Sequence, residues 1–111
     1  MVVKDEILKK QSDFSTLCID HKVKSLYAFG SSTNDKFKPE ESDIDLLVEI
    51  DDEDPIERGD KLLSFWDRLE SFFNRKVDLL TESSLRNPFL KKSIDSTKVL
   101  IYDGSRQKIL I

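Results

Sequence analysis

At 111 residues with a formal charge of −4 and a pI near 5.0, the chain lacks the clustered cations that a nucleic-acid backbone demands, so nucleic acid is not a favoured partner. Its 38% hydrophobic content, with seven Phe, suffices for one folded domain over residues 1–111 and leaves no room for a second. A single Cys and a single His exclude an internal disulfide and a Cys- or His-rich zinc centre. A bound metal would therefore take oxygen ligands, as magnesium, manganese and calcium do.

No apolar run approaches the eighteen or so residues that span a bilayer, and Met-Val-Val-Lys-Asp-Glu at the start has no signal-peptide core, so a cytoplasmic protein without membrane contact is expected. Residues 5 to about 20 place Ile7, Leu8, Phe14, Leu17 and Cys18 on a helical stripe, which predicts an amphipathic first helix. Cys18 reads as a small buried hydrophobe, and His21 as a residue of the helix C-terminus rather than a ligand. Val23 to Phe29 is β-favouring and breaks at Gly30, giving a first strand. A polar connection, Ser32 to Ser42, suits an exposed loop with a turn near Lys38-Pro39. A second strand runs from Asp43 to about Ile50, antiparallel to the first because the connection is too short for a full crossover helix.

The acidic run Asp51 to Asp54 lacks the glycine and ligand spacing of a calcium loop and reads as a solvated loop. Asp54-Pro55-Ile56-Glu57 has an N-cap acid, Pro at the first helical position and Glu at the third. The helix it opens carries Leu62, Phe65, Trp66, Leu69, Phe72 and Phe73 inward, an aromatic set fit for a core, and ends at Asn74. Lys76 to Glu82 alternates as a third strand, with Val77, Leu79 and Thr81 on one face and Lys76, Asp78, Leu80 and Glu82 on the other. Ser83 to Ser96 predicts a turn and a short helix starting at Asn87-Pro88. Lys98 to Tyr102 is a fourth strand, and about 105–111 a tail. The order implies an α/β (α+β) domain, a small mixed sheet with helices packed on one side.

Three acids fall inside these strands, where acids are depleted. Asp43 and Asp45 stand at i and i+2 and so project from the same face. Two such charges about 4 Å apart repel by roughly 4 kcal/mol at an effective dielectric near 20, a cost a divalent cation removes. If the third strand lies beside the second, Asp78 joins them in an all-carboxylate site for one or two Mg2+ ions, suited to in-line displacement at phosphorus. Glu49 shares their face but lies too far along the strand to be a ligand. Gly30-Ser31, just past the first strand, fits the same scheme, since glycine lets the backbone approach a bulky anion and the N–H groups and the Ser31 hydroxyl would hold terminal phosphates.

Phe29-Gly30-Ser31, the eleven residues from Ser32 to Ser42, Asp43-Ile44-Asp45-Leu46 and then Val77-Asp78-Leu79 resemble the nucleotidyltransferase superfamily that includes DNA polymerase β. Within it the chain is most similar to the minimal nucleotidyltransferases (MNT), often paired with a helical HEPN toxin, and the resemblance runs from the first helix to the last strand. It implies the polymerase β-like fold and Mg2+-dependent transfer of a nucleoside monophosphate, usually AMP from ATP, to a hydroxyl. In MNT antitoxins that hydroxyl is a tyrosine of the partner toxin. By the same resemblance, Gly30 and Ser31 would bind phosphate and Asp43 and Asp45 the metal. Asp78 would ligate metal and help deprotonate the acceptor. Ser42 also matches a frequent family position, and hydrogen bonding at the strand entry explains it as well. Where many MNT proteins have Ala-Arg-Gly after Gly-Ser, this chain has Ser32-Thr33-Asn34-Asp35. With no room for an acceptor-binding helical domain, acceptor choice is expected to come from a partner protein or a second copy, as in a homo-oligomer. Two alternatives stay open, modification of a small hydroxylated molecule and a non-enzymatic toxin-binding module.

Overall fold

The computed structural model of the chain describes residues 2–33, 38 and 42–111. Its helices are α1 (Val2–Lys9), α2 (Gln11–Asp20), α3 (Pro55–Phe73) and α4 (Pro88–Thr97), and its strands β1 (Val23–Ala28), β2 (Ile44–Ile50), β3 (Val77–Leu80), β4 (Val99–Asp103) and β5 (Lys108–Ile109). Short 3-10 helices cover Gly30–Thr33 and Glu82–Ser84. The strands form one mixed sheet in the order β3-β2-β1-β4-β5. As the short connection predicted, β1 and β2 are antiparallel. β2 and β3 are parallel, a pairing that requires a long crossover, and α3 supplies it.

Ile44, Leu46 and Val48 of β2, with Leu26, Ala28, Val77, Leu79 and Ile101 from its neighbours, turn to one face. There they pack against Val3 and Ile7 of α1, Phe14 and Cys18 of α2, and Phe65, Leu69 and Phe73 of α3. The helices expected on one side are there for α1 to α3. The exception is α4, whose one buried residue, Ile94, sits with Leu47 and Phe29 on the opposite face. Leu47 alternates with Leu46 and Val48 along β2, so the strand carries an apolar anchor on its carboxylate face too.

The first helix is broken at Lys10, whose backbone (φ −138°, ψ 51°) is not helical. The break gives Val3 and Ile7 one axis and Phe14 and Cys18 another, so that both pairs reach the same core. Burial pushes the Cys18 thiol far above its ordinary range, leaving it inert. His21 caps α2, its ring nitrogens within hydrogen-bonding distance of the Leu17 carbonyl (2.8 Å) and the Ser64 hydroxyl (2.9 Å), which is a structural role. The predicted tail contains β5, because Leu110 N–H bonds the Ile101 carbonyl at 3.0 Å and Ile109 pairs with Tyr102. Its two-residue length is below what sequence alternation can reveal.

The start of α3 forms as its capping residues predict. Asp54 accepts the Ile56 N–H at 2.9 Å with Pro55 in the first turn, and Asn74 closes the helix in the left-handed conformation at φ 52°. The acidic run before it is a helix-entry device: Asp52 binds Lys61 Nζ at 2.7 Å and accepts the Asp54 N–H at 3.1 Å. The Lys61 hydrogen bond holds the Asp52 carboxyl below the usual carboxylate range. At its other end α3 grips β3. Trp66 Nε1 donates to the Val77 carbonyl at 2.7 Å, and Glu70 accepts the Val77 N–H at 3.0 Å. Trp66 and Glu70 are four residues apart on one helix face, and together they satisfy both polar groups of Val77, the neighbour of Asp78.

Candidate active site

The parallel register of β2 and β3 pairs Asp45 directly with Asp78, strands in such a sheet lying about 4.8 Å apart. Asp43 lies two residues before Asp45, beside Lys76, whose ammonium reaches its carboxylate at 3.9 Å. Asp45 is half-buried and Asp78 exposed, so the group opens to solvent at the edge of the sheet. The expected juxtaposition is therefore present, with Asp45 at its centre. Its carboxyl is pushed up to about 6, by burial first and then by the charges of Asp78 and Asp43. Among the described residues, no three acidic, His or Cys side chains are drawn into a metal-ligating cluster as they stand. Asp45 feels the charge of both others without the three converging.

Gly30 completes this centre from the other side. It has φ +62°, a conformation that side chains rarely adopt, and a Cβ added there would lie 3.1 Å from Asp45 Oδ2. Glycine is thus required twice, for backbone conformation and for close approach to the carboxylate. The 3-10 helix that it opens is tied to β2 by Ser32, buried to 1% exposure, whose hydroxyl accepts the Asp45 N–H at 2.9 Å. Phe29 N–H bonds the Asp45 carbonyl at 3.1 Å, so both backbone polar groups of Asp45 are committed to the Phe29–Ser32 segment.

Two of the expected binding residues are engaged in local hydrogen bonds. The Gly30 N–H was expected to face phosphate; it donates instead to Thr97 Oγ1 of α4 at 3.1 Å. Ser42 closes the loop, its hydroxyl accepting the Lys38 N–H at 3.0 Å and its own N–H bonding the Lys38 carbonyl at 2.7 Å. That is the hydrogen-bonding role at the strand entry. Ser31 stands half-exposed beside Gly30. Pro39 of the expected turn, and the Asn34-Asp35 departure, lie outside the described residues. Ser32 and Thr97 were not singled out by sequence. Ser32 is one of several hydroxyls in Gly-Ser-Ser-Thr with nothing local to mark it, and Thr97 is 67 residues from its partner.

The family model for a nucleotidyltransferase domain matches residues 5–101, spanning all three carboxylates and the Gly30 turn. The chain belongs to the nucleotidyltransferase domain family. It is 38% identical over 96 residues to a Methanocaldococcus jannaschii protein named "Putative protein adenylyltransferase", covering 86% of this chain and 92% of that one. Among solved structures, one described as a toxin-antitoxin with AMP-PNP aligns with a TM-score of 0.59 at 23% identity, over 85% of this chain and 73% of the other. A second, a tri-AMPylated Shewanella oneidensis HEPN toxin in complex with MNT antitoxin, aligns at 0.51 and 22% identity, over 96% and 76%. At these identities the structural likenesses establish the fold. Among the described residues, no helix is long and apolar enough to cross a membrane.

Proposed function

We propose that this nucleotidyltransferase moves AMP from ATP onto a hydroxyl of a HEPN-type toxin, a tyrosine, and thereby acts as its antitoxin in the cytoplasm. The single observation that carries the chemistry is the Asp45–Asp78 pairing, with Asp43 near enough to act on Asp45 electrostatically. The donor set is all carboxylate and open to solvent, and its mutual repulsion is the feature a hard cation relieves, so the residues fit Mg2+. Asp43, Asp45 and Asp78 would hold one or two ions, which supply charge neutralisation for the phosphates and the developing transition state.

The chain's own residues do the rest. Gly30 lets the phosphates approach the backbone without a side chain in the way, and Ser31 offers its hydroxyl to them. The acceptor oxygen attacks the α-phosphorus as the bond from that phosphorus to the β-bridging oxygen breaks. Pyrophosphate leaves with the electron pair, and the hydroxyl proton passes to Asp78, the most exposed of the three acids. The HEPN partner and the AMP donor are suggested by the neighbouring folds described as toxin–antitoxin complexes and by the name of the sequence relative.

The test is incubation of the chain with Mg2+, α-labelled ATP and the purified HEPN-type protein encoded beside it. Label should appear on a tyrosine of that protein and vanish with EDTA or with Asp43→Asn/Asp45→Asn. Suppressed toxicity without any label on the partner would overturn the enzymatic reading.

A further inference from the structure

Helix α4 lies on the carboxylate face of the sheet, and its last turn reaches the centre of the site. Thr97 Oγ1 accepts the Gly30 N–H at 3.1 Å and donates back into its own helix, to the Ser93 carbonyl at 3.1 Å. A hydroxyl has one proton and two lone pairs, so both bonds can be made at once. The helix end is itself fixed. Ile94 is buried at 1% exposure against Leu47 and Phe29, and the Lys98 ammonium lies over the Tyr27 ring at 4.8 Å while pairing with Asp95 at 3.1 Å.

Two side-chain hydroxyls therefore tether the Gly30 turn. Ser32 binds it to the backbone of Asp45, and Thr97 binds it to a helix remote in sequence. Between them they hold Gly30, in the left-handed conformation, with its would-be Cβ 3.1 Å from the Asp45 carboxylate.

We infer that Thr97 is a positioning residue of the nucleotide site, fixing the Gly30 turn against Asp45 and so setting affinity for the triphosphate. This rests on the proposed nucleotidyl transfer, and it names a residue outside the glycine-serine and carboxylate motifs. Thr97→Val keeps the shape and removes the hydroxyl that accepts the Gly30 N–H, whereas Thr97→Ser retains it.

The experiment follows amide exchange at Gly30 by NMR and the dissociation constant for Mg2+·ATP by calorimetry, in the full chain. Thr97→Val should speed Gly30 exchange and raise the dissociation constant, each by about tenfold, the worth of one hydrogen bond in a partly buried site. The melting temperature should fall by no more than the worth of that one bond, about 4–8 °C, and Thr97→Ser should restore all three readings. Nucleotide affinity unchanged in Thr97→Val, or lost equally in Thr97→Ser, would overturn the assignment. Fast Gly30 exchange in the parent chain would do so regardless of nucleotide. A parent chain that protects Gly30 but binds no nucleoside triphosphate would instead overturn the transferase reading, and with it the affinity role of Thr97, while leaving the tether itself standing.

Discussion

Asp45 is where the proposed function and stability oppose one another most directly, and Asp45→Asn separates them. Folding raises this carboxyl from 3.8 to about 6, chiefly through burial and then through Asp78 and Asp43. Each pH unit of that difference is worth about 1.4 kcal/mol, so the charged form costs the fold about 3 kcal/mol at most. Because the carboxylate is only half-buried, solvent screening reduces the figure to about 1–2 kcal/mol. The sign follows from proton linkage. Below the unfolded value both states carry the proton and the cost is absent. It grows as pH rises from there and is complete above about 6. Asp45→Asn has no charge to desolvate, so at pH 7.5 in EDTA it should melt about 5–10 °C above the parent. Near pH 3.5 the gain should disappear, and transfer activity should be absent at every pH. Thermal unfolding followed by circular dichroism at both pH values decides the matter. A variant no more stable than the parent at pH 7.5, or one whose advantage persists undiminished at pH 3.5, would refute the electrostatic account of this site.

Two glycines should respond in opposite directions. Gly30→Ala places a side chain at φ +62° with its Cβ 3.1 Å from Asp45 Oδ2. The left-handed backbone alone costs about 1–2 kcal/mol, and a carboxylate displaced by tenths of an ångström should reduce transfer about tenfold or more; a stopped-assay rate equal to the parent's would contradict the proposed close approach. Gly59, in the second turn of α3, has open space where a Cβ would stand. Gly59→Ala should therefore stabilise the chain by about 0.5–1 kcal/mol in urea unfolding with activity unchanged.

Local sequence determined most of the elements and the identity of the acids. Asp54-Pro55 and Asn87-Pro88 start helices because an acceptor side chain and a preset φ satisfy the first turn wherever they occur. Strand periodicity put Asp43 and Asp45 on one face and made Asp78 visible as a strand acid, although in the structure the strand proper begins at Ile44 and Asp43 stands just before it. The limits were equally physical. Two-residue β5 is too short to carry alternation, and the break at Lys10 depends on how two apolar pairs reach one core.

Only the tertiary structure decided that Asp78 stands exactly opposite Asp45, a register maintained in part by Trp66 and Glu70 gripping Val77. It also moved α4 to the carboxylate face. That placement joins Thr97 to Gly30 across 67 positions, a contact that neither residue's sequence neighbourhood encodes. The sequence specified the chemical groups of the site, because residue type and periodicity are local. Their spacing and the tethers that hold them arose from packing, which brings distant segments together and is written in no single stretch of the chain.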